Sequence, residues 1–119
     1  MPPYQNPELP VAERVSDLLS RMTLEEKVGQ MNQMVGVEHF RSNMHELTEE
    51  ELRTNTANGF YPGYTPEDLE KMAAEGDVGS FLHVLSVEEA NRLQGFAMNS
   101  RLSIPLLFGI DAVHGNANA

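Results

Sequence analysis

Apolar residues along this chain fall into helix-spaced stripes and two short unbroken runs. Val11, Val15, Leu18 and Leu19, with Met22 following, predict a helix over 11–20. Thr23 and Glu26 then make a capping box, in which each side chain satisfies the other residue's amide. The helix opened there carries Leu24, Val28, Met31 and Val35 as one continuous stripe, and Gly36 ends it. Residues 37–64 are the least regular stretch. Within them Thr48 to Glu51 offers another capping box, and the turn-rich aromatic stretch 58–64 reads as an ordered loop. Thr65-Pro66-Glu67-Asp68 is a strong helix start, with a capping hydroxyl, proline at the first helical position and acids in the positive first turn; Gly76 ends that helix.

The two apolar runs predict strands. Val78 to Val84 is the first, and Leu106 to Asp111 the second, with Pro105 marking its start. Between them Ser86 and Glu89 cap a helix to about Ser100, with Ala90, Leu93, Phe96 and Ala97 on one face. The predicted order is helix, helix, irregular insert, helix, strand, helix, strand. Its last three elements form a β-α-β unit with parallel strands and a right-handed crossover. Leu106, Leu107, Phe108 and Ile110 point to burial of the second strand on both faces. Two parallel strands leave open edges and do not make a stable sheet. The expectation is therefore the opening portion of a larger α/β domain, marginally stable by itself. Residues 1–10 hold four of the seven prolines and read as an extended arm; residues 11–119 read as a partial domain.

Composition narrows the function classes. The chain has 119 residues, enough for one small domain. It has no cysteine, so disulfides, thiolate metal sites and a cysteine nucleophile are excluded. Its net charge of −10, from 8 basic and 18 acidic residues, repels phosphate backbones and argues against a nucleic-acid partner. No apolar stretch is long enough to span a membrane. The N-terminus has neither a basic nor an apolar signal region, which gives a cytoplasmic location as the expectation.

Candidate chemistry gathers where the strands end. An apolar strand that delivers one carboxylate, Asp111, to its C-terminal end is how parallel-sheet enzymes place a polar group in a site. Taken alone, Asp111 reads more readily as a residue capping a loop turn after the strand than as a site residue. His83 ends the first strand and reads as a pocket-lining or supporting residue. His114 reads as a loop-packing side chain, while His39 and His45 read as surface residues. Met22, Met31 and Met34 read as core filling. Glu25, Glu26, Glu88 and Glu89 sit in helix first turns and read as capping groups rather than a catalytic pair. No metal site and no cofactor is indicated.

Three segments carry a family resemblance. Arg14 to Met31, with its Arg21-Met22-Thr23-Leu24-Glu25-Glu26-Lys27 centre, resembles the N-terminal signature of glycoside hydrolase family 3. Gly76-Asp77-Val78-Gly79-Ser80-Phe81-Leu82 resembles that family's first barrel strand, and Arg101 to Gly115 its second strand and following loop. The resemblance covers roughly residues 11–36 and 69–115, in family order. It implies the N-terminal portion of a TIM-type (β/α)8 barrel, with the remainder of the barrel and a second domain as partners. It implies an enzyme that hydrolyses terminal β-D-glucosyl residues with retention, acting on a β-glucoside or oligosaccharide. Ala112-Val113-His114-Gly115 after Asp111 resembles the β-glucosidase and β-xylosidase branch rather than the N-acetylhexosaminidase branch. Asp111 matches the family's sugar-binding Asp, which accepts hydrogen bonds from hydroxyls of the terminal sugar. The family's Ser-Asp-Trp-like nucleophile segment, its Lys-His pair and its acid/base region have no counterpart here; the chain contains no tryptophan. No catalytic residue is therefore expected within it. The competing expectations are a non-catalytic truncated or split-gene product and a sugar-binding scaffold.

Overall fold

A computed structural model describes residues 1–44, 64–112 and 115. The predicted capping box at 48–51, the loop at 58–63, His45 and His114 lie outside the described residues. Helix α1 spans Val11–Arg21 and α2 Leu24–Met31. Strand β1, Gln33–Val35, and helix α3, Val37–Met44, follow. Helix α4 is Pro66–Glu75, strand β2 Ser80–Leu82, helix α5 Val87–Met98 and strand β3 Leu107–Gly109.

The helix starts form as the sequence dictates. Thr23 and Glu26 make both bonds of a capping box, as do Thr65 and Asp68. Pro66 opens α4, and Gly76 closes it with φ +77°, a left-handed conformation that glycine adopts without a Cβ penalty. Ser86 caps α5 by accepting from the Glu89 amide, but the Glu89 carboxylate does not return to Ser86.

The largest correction concerns residues 32–44. The apolar stripe predicts one helix to Val35, yet α2 stops at Met31 and Asn32 turns extended. Gln33–Val35 then pairs in parallel with β2. A strand partner nearly fifty residues away outweighs local helical periodicity, which Val35 satisfies by coincidence. Leu24, Val28 and Met31 consequently form no core: all three are exposed, Met31 at 78%. Met34, by contrast, is buried as expected. Residues 37–44, expected to be irregular, are helical because Val37 and Phe40 are both buried.

Among the described residues the sheet is therefore three-stranded, in the order β1-β2-β3, and all pairs are parallel. The central strand has partners on both sides, contrary to the expected two-stranded unit. Met34, Phe81 and Phe108 stand opposite one another in register. Phe81 is fully buried in a core with Leu69 and Ala73 of α4 and Leu93 and Ala97 of α5. The alternate positions share the opposite face. There Leu107 is 74% exposed, so among the described residues β3 is not covered on both faces.

The N-terminal end of the sheet is held by close backbone contacts and ion pairs. A Cβ at Gly79 would meet the Gln30 carbonyl oxygen at 2.3 Å, and one at Gly29 would meet the Gly76 oxygen at 2.5 Å. These glycines let the end of α2 lie against the α4–β2 loop. Nearby, Arg101 donates from Nε to Glu26 Oε1 (2.7 Å) and from Nη2 to Oε2 (2.6 Å), and also reaches the Arg21 carbonyl at 2.8 Å. The proline-rich arm carries a 3₁₀ turn, Pro3–Gln5. Its Tyr4 amide donates to Asp17 and its hydroxyl to the Leu102 carbonyl, tying the arm to α1 and the segment before β3.

Three substitutions test this packing. Gly79→Ala should cost about 3 kcal/mol, because backbone must shift to admit the methyl group. Gly95→Ala, inside α5 with open space around the new Cβ, should stabilise by about 0.5–1 kcal/mol. Urea denaturation midpoints check both signs. The Arg101 guanidinium, against opposition from burial and with help from the Thr23 amide, holds the Glu26 carboxyl down at about 2 from its ordinary 4.5. A depressed carboxylate stabilises fully above the unfolded value and loses that contribution as pH falls through the folded one. Stability should therefore fall between about pH 4.5 and 2. In Glu26→Gln that part of the pH dependence should disappear, with stability at pH 7 lower by about 1–2 kcal/mol in the same denaturation assay.

Candidate functional site

Parallel register brings all three strand C-termini to one edge. Val35, Leu82 and Gly109 lie opposite one another, so the residues that follow them leave the sheet together. Gly36 follows β1, His83 follows β2, and Asp111 stands two residues beyond β3. The ladder continues past the strands at this edge: the Gly36 amide donates to the Leu82 carbonyl and the His83 amide to the Gly109 carbonyl, each at 2.7 Å.

His83 has φ +64°, a left-handed conformation that few side-chain-bearing residues adopt. Its carbonyl lies tight against β1, since a Cβ at residue 36 would sit 2.8 Å from it. The imidazole Nε2 lies 3.4 Å from Asp111 Oδ2, an ion-pair distance rather than a close hydrogen bond. The ring also packs against His39 of α3, with centroids 5.1 Å apart and planes tilted by 35°. His39, expected at the surface, is thus half-buried and part of this cluster. Asp111 itself is 60% exposed at its side chain.

Beside the imidazoles is an open hollow of about 210 Å³, lined by Glu38, His39, Ser42, His83, Leu85 and Glu89. Glu89 forms its floor and is 2% exposed. Its Oε1 accepts from the Glu38 amide at 3.0 Å, an N-terminal donor of α3 that no residue within that helix can satisfy. The sequence reading of Glu89 as a cap for its own helix is corrected here: the carboxylate caps a different helix, where the positive end of the α3 dipole favours it. The Glu26 reading stands, and Glu25 and Glu88 remain exposed in helix first turns.

The arrangement presents hydrogen-bonding oxygens and imidazoles to solvent at the C-terminal edge of a parallel sheet. An exposed carboxylate there accepts hydrogen bonds from neutral hydroxyls and holds two at once. Among the described residues no group of three or more His, Asp or Glu side chains is placed to hold a metal ion. Sequence reasoning reached Asp111 and His83, and missed Glu38, His39 and the role of Glu89. All three omissions trace to β1. Had Gln33–Val35 and the following glycine been read as strand and turn, α3 would have fallen at the same edge.

No protein-family model matches the chain. Curated proteins do match it. A periplasmic β-glucosidase/β-xylosidase of Dickeya chrysanthemi is 35% identical over 116 residues, 92% of this chain and 15% of the relative. The chain is related to β-glucosidases. A periplasmic β-glucosidase of Salmonella typhimurium is 29% identical over 102 residues, covering 85% of this chain and 10% of the relative. A probable β-glucosidase C of Aspergillus flavus is 30% identical over 113 residues, 95% of this chain and 17% of the relative. The relationship to glycoside hydrolases therefore runs along nearly the whole chain, which spans only about 15% of the length of the first of these relatives.

The trans cap is testable on its own. Glu89→Ala leaves the Glu38 amide without its acceptor and opens space below the hollow, so it should cost about 2 kcal/mol. Hydrogen exchange should accelerate at Glu38 to Phe40 more than at Leu93, whereas Glu89→Gln, which keeps an acceptor oxygen, should retain most of the protection.

Proposed function

We propose that this chain is the N-terminal portion of the (β/α)8-type barrel of a family 3 glycoside hydrolase. In that enzyme Asp111 accepts hydrogen bonds from hydroxyls of the terminal non-reducing sugar of a β-D-glucoside. The observation that carries the reading is the position of Asp111. It stands just past the C-terminal end of a parallel strand, at the edge where barrel enzymes assemble their sites, in a chain related to β-glucosidases. The helices on the Phe81 face and the open face bearing Leu107 fit an arc of such a barrel, with helices outside and the second face turned inward.

In the retaining reaction one carboxylate attacks the anomeric carbon and another protonates the leaving oxygen, the two standing roughly 5–5.5 Å apart. On this reading neither belongs to the 119 residues, which contain no tryptophan and hence no Ser-Asp-Trp-like segment. Asp111 binds and orients; the chemistry is done by residues supplied by the rest of the barrel and a second domain. The name of the Dickeya chrysanthemi relative keeps β-xylosidase as the second sugar specificity to compare.

Two measurements test the proposal. The coding frame beyond Ala119 should encode a Lys-His pair and a Ser-Asp-Trp-like segment; a stop immediately after Ala119 would favour the non-catalytic reading. The purified 119-residue chain should show no turnover of p-nitrophenyl β-D-glucoside. Turnover that Asp111→Ala removes would overturn the assignment of the catalytic carboxylates to other parts of the protein.

A further inference from the structure

We infer that His83 is a positioning residue for Asp111, holding one carboxylate oxygen so that the other faces the sugar. The inference rests on the reading of Asp111 as a sugar-hydroxyl acceptor. Three observations carry it.

The first is the backbone. A left-handed residue with a side chain costs about 1 kcal/mol or more, and glycine at the same place removes the cost. Position 83 holds histidine at φ +64° nonetheless. The conformation is enforced from two sides. The His83 amide is bonded to Gly109 in β3, and the His83 carbonyl is wedged against Gly36 at the end of β1. The direction of the Cα–Cβ bond is thereby set by the sheet rather than by a flexible loop.

The second is the setting of the ring. The His39 ring packs against the imidazole, and Asp111 Oδ2 lies 3.4 Å from Nε2. Both neighbours come from elements other than β2: α3 carries His39, and the segment after β3 carries Asp111. The ring therefore bridges all three strand ends.

The third is the state of the carboxylate. Asp111 is mostly exposed, and among the described residues the His83 imidazole is the group that reaches it. An exposed Asp without a tether samples several rotamers and loses that freedom on binding, which weakens affinity. A tether at Oδ2 leaves Oδ1 to accept from the ligand in one fixed direction. The present separation is long for N–H···O, and such contacts tighten when a bound ligand displaces water.

The test is a double-mutant cycle on the 119-residue chain. Methyl β-D-glucopyranoside is the probe, and binding is read by saturation-transfer NMR. The Asp111 carboxylate ¹³C shift is recorded in the same samples as a sugar-free readout, with dispersed Phe81 ring signals as the folding control. His83→Ala should move the Asp111 resonance and weaken glucoside binding about tenfold, the equivalent of one good charge-assisted hydrogen bond. His83→Gln carries an amide N–H out to the level of Nε2, so it should recover most of that loss. His83→Gly relaxes the backbone while removing the ring, so it should match His83→Ala in binding while being at least as stable. In an Asp111→Ala background His83→Ala should have no further effect on binding. Unchanged affinity and an unmoved Asp111 resonance in His83→Ala and His83→Gly, with Asp111→Ala still abolishing binding, would overturn the positioning role alone. Glucoside binding that survives Asp111→Ala would overturn the sugar-acceptor reading and this inference with it.

Discussion

The parallel pairing of β2 with strands on both sides is the constraint on which the rest depends. Each strand is only three residues long, so no single pairing is strong. What fixes the register is Phe81, buried between Met34 and Phe108 and covered by α4 and α5. Side chains alternate faces along a strand, so a slip of one residue would turn Phe81 away from the helices. The same register aligns Gly36, His83 and Ile110 at one edge. The arrangement at that edge is thus a consequence of how one aromatic ring is packed.

The two ends of the sheet serve different purposes. At the N-terminal end glycine contacts bring backbone against backbone, and the Glu26–Arg101 pair and the Tyr4 hydroxyl tie distant segments together. At the C-terminal end lie a left-handed histidine, an exposed carboxylate and a hollow floored by a buried glutamate. Stability concentrated at one end and exposed polar groups at the other is the division that barrel enzymes show. It is reached here with three strands. The open apolar residues Leu24, Val28, Met31 and Leu107 are the surface that the remainder of a larger fold would cover on the reading proposed above.

What could be read from the sequence was what is local. Thr23 with Glu26, and Thr65 with Pro66, Asp68 and Gly76, act within a few residues of one another, and both helix starts form as the pattern implies. The β1 strand could not be read this way, because its identity rests on pairing with Ser80–Leu82 across the chain. Glu89 follows the same rule. Its amide is capped by the nearby Ser86, as the sequence suggests, while its carboxylate finds the Glu38 amide, 51 residues away. The position of Asp111 just past β3 was legible because the apolar run leads straight to it. The left-handed backbone that aims His83 was not, since it arises from Gly109 and Gly36 on neighbouring strands.

The division of labour at the edge also limits what these residues can do. Hydrolysis with retention needs one carboxylate free to attack and another free to donate a proton, facing each other across the scissile bond. Glu89 is buried and committed to the Glu38 amide, so moving it toward a substrate would strip a helix of its cap. Asp111 Oδ2 lies 3.4 Å from the His83 imidazole, a neighbour that, on the inference above, orients it as an acceptor. Glu38 lines the open hollow, but its own backbone amide is the group that Glu89 holds, so α3 is anchored there rather than free to swing. On the reading proposed above, the chemistry within reach of this edge is recognition of hydroxyls, the part of a glycosidase site that a first arc of barrel would supply.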